Sequence, residues 1–341
     1  MRQLVILACV LGIVLGQCPD VRSQARPSPA VGVAELSGSA EKAIEKGLKF
    51  LVKSQNSDGS WGSVYPTAET AVSLMAFMVK GHFPKRGPYG VTLDKAVSYL
   101  IKRSEASGSG YLGGREQGGM YEHGLATLAL SEVWGESDHP EVGKVLKRAV
   151  EVILKAQNPD GGWRYEPQPK DADLSVTVMQ IVALASAKEA GIHVPDSVLN
   201  GAVKYVLRCH NPATDGGFAY QPGGESGLAR TAAGVLSLMM SGQRNLPAVQ
   251  RGLDYLNKQP NSKFREVGYY YYSHYYAIQC MYQGGDQHYQ PWYPNIRDAL
   301  LERQRSDGSW PEEYRSGAAF NTSISILVLG VPYRFLPIYQ R

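Results

Sequence analysis

Leu146, Ala149, Val150, Ile153 and Leu154 recur at helical spacing, while Lys147, Arg148, Glu151 and Lys155 occupy the opposite face. That pattern predicts an amphipathic helix with one wet side. Asp160-Gly161-Gly162 follows, and glycines there supply the positive φ angles that end a helix. Beyond a short loop, "SVTVMQIVALASA" at 175–187 is apolar or small nearly all round, as are 123–130, 230–240 and 322–329. A helix with no polar face is buried on every side. One half-wet helix followed by one buried helix predicts an all-α fold of helical hairpins.

The pair is written six times. "GLKFLVKSQNSDGSWG" from Gly47 matches "AVEVILKAQNPDGGWRY" from Ala149 and "AVKYVLRCHNPATDGGFAY" from Ala202. Weaker copies start at Ala96, Gly252 and Ile296, so the steps run from 44 to 53 residues. A period of that length is the mark of a repeat architecture. Inner helices that are apolar all round suit a closed ring of hairpins, because an open solenoid needs polar capping repeats and none is evident. Trp61, Trp163, Phe218 and Trp310 follow the glycine turn, where a large ring can wedge between hairpins. Gln55, Gln157 and Gln304 stand where they can bond backbone groups freed at helix ends.

The Gln-Asn-x-Asp-Gly-x-Trp units resemble the repeats of the prenyltransferase and squalene-oxidase superfamily, over about residues 41 to 335. That superfamily includes squalene-hopene cyclases, class II terpene cyclases and protein prenyltransferase β subunits. The resemblance implies an α/α toroid, with six inner helices around a central cavity and six outer helices around those. Activity does not follow from the fold, which hosts several chemistries.

The N-terminus adds a location. Arg2 precedes thirteen apolar residues, Leu4 to Gly16, which is too short to span a bilayer and suits a signal-peptide core. Cleavage is expected after Gly16 or Ala25, within a signal region of residues 1–25. The Pro-, Ser- and Gly-rich stretch 26–40 then reads as a linker, with the toroid as residues 41–341. Export to the periplasm or the extracellular space is the expectation. No other run reaches eighteen apolar residues, so no integral span is expected in the mature chain. Cys209 and Cys280 survive processing and could pair or stay as buried thiols. The net charge of +4 is scattered, without a basic stripe, and argues against a nucleic-acid partner.

In such a ring the residues opening each inner helix rim the cavity. They are Glu69; Tyr121, Glu122 and His123; Asp171 and Asp173; Glu225 and Arg230; Tyr270, Tyr272 and His274 of the tyrosine-rich stretch 268–276; and Asn321. The two aspartates have two readings. Asp173 stands where an N-cap belongs. It also stands where the resemblance puts the proton donor of the cyclases' Asp-x-Asp-Asp motif, although Leu174 replaces the last aspartate. As catalytic candidates Asp173 and Asp171 would need a carboxyl group held neutral in an apolar site. Tyr121, Glu122, His123, Arg230, Tyr270, Tyr272, His274 and Asn321 are the candidate ligand-binding residues.

No metal or other cofactor is expected. The zinc ligands of protein prenyltransferases are missing, with Asn321 where the resemblance requires a His. The leading expectation is a protein that binds a small hydrophobic or glycan ligand in its cavity. The alternatives are an Asp173-initiated cyclase or isomerase of a polyprenyl-like substrate, and a polysaccharide-acting enzyme using Glu122 and Asp173 as its carboxyl pair.

Overall fold

The computed structural model describes residues 36–114, 118–136, 140–259, 269–313, 316–336 and 338. The apolar run at 4–16, both candidate cleavage sites and most of the 26–40 stretch lie outside the described residues. The first helix starts at Gly38, within the span read as linker, because the Ser37 hydroxyl accepts the Ala40 amide at 3.2 Å and caps it.

Twelve α-helices alternate between two rings among the described residues. The outer ring holds α1 (Gly38–Ser54), α3 (Gly90–Ser107), α5 (Pro140–Ala156), α7 (Asp196–Arg208), α9 (Pro247–Asn257) and α11 (Asp286–Arg303). The inner ring holds α2 (Pro66–Met78), α4 (Gly119–Glu136), α6 (Leu174–Glu189), α8 (Leu228–Met240), α10 (Tyr270–Gln283) and α12 (Ala318–Leu329). Helix α5 buries one stripe, Val142, Val145, Leu146, Ala149, Val150 and Ile153, as its pattern predicts. Helix α6 is buried continuously from Val176 to Ala187. Each inner helix packs on the next, and α12 packs back on α2. The ring is closed.

Repeated hydrogen bonds hold the hairpins in register. The Trp61, Trp163 and Trp310 indole N–H groups donate at 2.8 Å to the carbonyls of Leu51, Ile153 and Leu300 in the preceding outer helix. Full burial of so large a ring contributes roughly 1.5–3 kcal/mol. Gln55 Nε2 donates to Gly59 in its own turn and to Thr92 in the next outer helix, at 3.0 and 2.9 Å. Gln157 does the same with Gly161 and Val198. Gln304 donates to Gly308 at 3.0 Å and to Ala43 of α1 at 2.8 Å, so the last repeat treats the first as its successor. The turn glycines are required. Gly59, Gly161 and Gly308 have φ of 93°, 94° and 93°, and a Cβ on them would lie 2.4, 2.2 and 2.4 Å from the carbonyl oxygens of Lys95, Gly201 and Lys46.

The two mouths of the ring differ. After the short turn Val331–Tyr333, the chain lies against the C-terminal ends of the inner helices. Leu336 and Ile338 are buried there, and Gln283 Nε2 of α10 donates to the Ile338 carbonyl at 3.3 Å. The Phe335 ring packs near Gly81, just beyond α2. The opposite mouth, at the inner-helix N-termini, holds the cavity. No described helix is long and apolar enough to cross a membrane. Cys209 and Cys280 are both buried and unpaired, which resolves their two readings in favour of free thiols.

Candidate functional site

One register runs through the inner helices. Backbone amides of the turn residues Trp61, Trp163, Phe218 and Trp310 donate, at 3.0 to 3.1 Å, to the hydroxyls of Thr70, Thr177, Thr231 and Thr322. In the second repeat His123 takes the threonine's place: the Leu112 amide donates to its Nδ1 at 3.1 Å. With Nδ1 accepting, Nε2 carries the proton and donates to the Ala149 carbonyl at 3.0 Å. Each of these residues faces the outer ring. Two positions earlier the helix has turned by about 200°, and Ala68, Tyr121, Ser175, Ala229, Tyr272 and Phe320 line the cavity.

The cavity has a volume of about 1070 Å³. Tyrosine dominates its described wall: Tyr121, Tyr271 and Tyr272 from inner helices, Tyr255 from α9, and Tyr65, Tyr165, Tyr220 and Tyr269 from the segments between helices. The rings of Tyr121 and Tyr165 lie 5.9 Å apart, and the Tyr165 and Tyr220 hydroxyls hydrogen-bond each other. Tyr272 reaches from α10 to α6, its hydroxyl donating to the Ser175 carbonyl at 3.4 Å. Leu125 and Met179 add an apolar floor.

Among the described residues, the charged members of the wall are Glu69, Glu122, Glu313 and Arg230. The carboxylates serve helix ends of neighbouring repeats. Helix α2 has no side-chain cap of its own. Glu122 of α4 supplies one, with Oε2 accepting the Thr67 and Ala68 amides at 3.1 and 3.4 Å and Oε1 accepting Gly114 at 2.8 Å. Glu313 does the same for α10, accepting the Tyr270 and Tyr271 amides at 2.6 and 3.4 Å. Burial pushes the carboxyl groups of both up, and their amide bonds oppose the rise. Glu69 is 4% exposed, and burial raises its carboxyl to about 7 against a bond from the Phe320 amide, with Glu122 and Glu312 adding repulsion.

The two aspartates do not reach the cavity. Asp171 is exposed and paired with Arg164 Nη1. Asp173 is fully buried and caps α6, its Oδ1 accepting the Val176 amide at 2.9 Å. Burial pushes its carboxyl up, while the Val176 amide, the Tyr220 hydroxyl and Arg164 favour the anion. Arg164 Nε lies 3.5 Å from Oδ2, and the guanidinium sits 5.0 and 5.9 Å from the ring centres of Tyr165 and Tyr220. The aspartates therefore hold an arginine that backs the tyrosine wall. Neither aspartate of the catalytic expectation lies on the described cavity wall.

Four ligand-binding expectations are corrected on the same grounds. His123 is a structural residue with both ring nitrogens bonded, and burial pushes its pKa down to about 4. His274 stands at the same register position in α10 and packs on Tyr270 and Trp292, so it faces α11. Tyr270 turns the same way, under Arg303. Asn321 is buried and donates to the Pro311 carbonyl at 2.8 Å, outside the cavity wall. Tyr121, Glu122, Arg230 and Tyr272 do line the cavity, and Glu225 is exposed outside it. The rim tyrosines and Glu313 went unread. Tyr165 and Tyr220 each stand two residues after a turn aromatic, so the register contained the signal.

Fold and cavity, among the described residues, define a closed α/α toroid around a ligand-sized chamber. The chain belongs to the prenyltransferase α/α toroid domain family, whose sequence model matches residues 95–269. Drimenyl diphosphate synthase of Streptomyces showdoensis is 25% identical over 184 residues, which is 53% of this chain and 32% of that enzyme. The chain thus matches about a third of the length of that curated relative. Among solved structures, a type II terpene cyclase variant from Scytonema, in complex with its substrate geranylgeranyl dihydroxybenzoate, superposes with a TM-score of 0.58 at 14% identity, covering 87% of this chain and 98% of that one. An α-1,6-mannanase from Salegentibacter gives a TM-score of 0.65 at 10% identity, covering 85% and 98%. At these identities the structural likeness shows the fold alone.

Proposed function

We propose that this protein binds an uncharged, amphipathic ligand of isoprenoid or lipid character in the tyrosine-lined cavity. The observation that carries the reading is the composition of the wall: among the described residues it holds eight tyrosines and a floor of Leu125 and Met179, with three carboxyl groups to one guanidinium, Arg230. Tyrosine rings offer broad apolar contact, and their hydroxyls bond isolated oxygens. Among the described residues a diphosphate would meet three carboxyl groups and one guanidinium, a balance that supports a neutral prenyl compound over a prenyl diphosphate. The Scytonema cyclase, crystallised with a geranylgeranyl compound, supports the class by fold.

The cyclase alternative would begin at Asp173, and its weaker support is that this residue caps α6 through Oδ1 and is absent from the described wall. An oligosaccharide is the second reading, because stacked aromatics beside carboxyl groups also suit sugar rings and a mannanase shares the fold. Export, carried by the Leu4–Gly16 run, completes the proposal: the ligand is met outside the cytoplasm. Mass spectrometry of an organic extract from protein purified without detergent tests it. A near-stoichiometric neutral lipid is the expected result. A bound oligosaccharide, or a prenyl diphosphate that binds more tightly than its alcohol, would overturn it.

A further inference from the structure

Glu69 differs from the other acidic residues of the wall. Glu122 commits both oxygens to three backbone amides, and Glu313 commits both to the start of α10. Glu69 is 4% exposed and lines the cavity from the first turn of α2, yet its Oε2 is buried with no hydrogen-bond partner. Its neighbours are shaped around it. A Cβ on Gly62, at φ 75°, would lie 2.1 Å from the Glu69 carboxyl carbon, and one on Gly317 would lie 2.9 Å from Oε2. Two glycines thus leave room for a carboxyl group that the fold itself satisfies on one side only. A buried polar atom without a partner is a cost to the fold, and a ligand that supplies the partner recovers it.

We propose that Glu69, as a neutral carboxylic acid, donates a hydrogen bond from Oε2 to an acceptor oxygen of the ligand, and so fixes the ligand's polar end at the α2 side of the cavity. The assignment rests on the neutral-ligand reading above and adds to it the recognition of a carbonyl, ether or hydroxyl oxygen. The neutral form follows from the surroundings. Three amides bond the Glu122 carboxyl group on α4 and oppose the effect of its burial, and Glu312 adds repulsion from the segment before α12. Of two close carboxyl groups, the one with fewer donors keeps the proton. From α3, Arg103 acts on Glu122 and so sharpens the contrast. The Glu69 carboxyl titrates at about 7. Arg230 projects from α8, three inner helices away round the ring, so the chamber has an acidic and a basic pole.

The test uses the full chain and two probes: farnesylacetone, a prenyl ketone that only accepts hydrogen bonds, and the hydrocarbon farnesene. Binding is followed by tyrosine and tryptophan fluorescence between pH 6 and 8.5. Wild type is expected to bind the ketone about fivefold more weakly at the alkaline end, with farnesene unaffected. Glu69→Gln, which keeps an N–H donor, should bind the ketone at constant strength across the range. Glu69→Leu should bind both probes alike and without pH dependence. Ketone binding by Glu69→Leu with the wild-type pH profile would overturn the assignment. Failure of wild type to bind either probe would instead overturn the neutral-prenyl reading on which it rests. Thermal unfolding of both variants separates loss of recognition from loss of fold.

Discussion

The carboxylate of Glu122, on the second inner helix, accepts the Thr67 amide at the start of the first at 3.1 Å, so one repeat's cavity residue is its neighbour's helix cap. A residue in this position carries two duties at once. Glu122→Ala leaves three buried amides without an acceptor and is expected to destabilise the chain by about 2–4 kcal/mol. Urea unfolding checks the magnitude. Glu122→Gln should fall between, because one amide face replaces an acceptor with a donor. A loss under 0.5 kcal/mol for the alanine variant, on the order of a surface change, would contradict the capping role.

Asp173 should behave as a cap and an anchor. Asparagine retains the oxygen that accepts the Val176 amide, so Asp173→Asn is expected to stay folded with a modest drop in melting temperature. Asp173→Ala also removes one of the two carboxylates that hold Arg164, leaving Asp171, and should cost about 1–2 kcal/mol, chiefly the lost cap. Ligand affinity of the asparagine variant is expected within about twofold of wild type, measured by fluorescence titration, given a hydrogen bond's typical net worth. A complete loss of binding with an unchanged melting temperature would restore Asp173 to the site.

The ring and its hairpins were legible in the sequence because burial writes itself as periodicity. Outer helices carry a wet stripe, inner ones carry none, and the Gln–Asn–x–Asp–Gly–x–Trp turn marks each junction. The same uniformity hid the cavity. An inner helix without a polar face gives no sign of which side looks inward, so Tyr121 and His123, two residues apart, read as equals. Their side chains point to opposite rings. The turn contact that orients them is visible only by aligning His123 with Thr70, Thr177, Thr231 and Thr322. The caps escaped notice for a related reason: Glu69, Glu122 and Glu313 serve helices other than the ones they open or precede, a relation that sequence order does not display.

Ring closure depends on Gln304 as other junctions depend on Gln55 and Gln157. Gln304→Ala removes donors to the Gly308 and Ala43 carbonyls and is expected to cost about 1–2 kcal/mol. Hydrogen exchange should then rise in α1 and α11, on either side of the seam, while α5 and α7 keep wild-type protection. Uniform loss of protection would show that the ring opens elsewhere.

Buried groups contribute to opposite limbs of the pH–stability curve, Glu132 with Glu69 on one and His123 with His274 on the other. Glu132 is 1% exposed, accepts the Ser186 hydroxyl at 2.9 Å, and is pushed up by burial from 4.5 to about 8. The folded state therefore holds a proton that the unfolded chain has released, and stability falls as pH rises from about 4.5 through 8. His123 acts at the other end: burial lowers it from 6.5 to about 4, so stability falls as pH drops from 6.5 through 4. Glu132→Gln should flatten the alkaline limb and raise the melting temperature at pH 8.5 relative to wild type. An unchanged alkaline limb would mean that Glu132 ionises freely in the folded chain.

The central claim is that positions two before the recurring turn contact of the inner helices, and two before its counterpart His274 in α10, face a ligand chamber. Ala229 of α8 is such a position and lines the cavity. Ala229→Trp places an indole in the void without displacing packed atoms of the ring, so calorimetric titration of the variant with farnesylacetone is the direct measurement. The expected result is loss of the binding isotherm with a melting temperature within a few degrees of wild type. Binding at wild-type affinity, with the indole in place, would contradict the account.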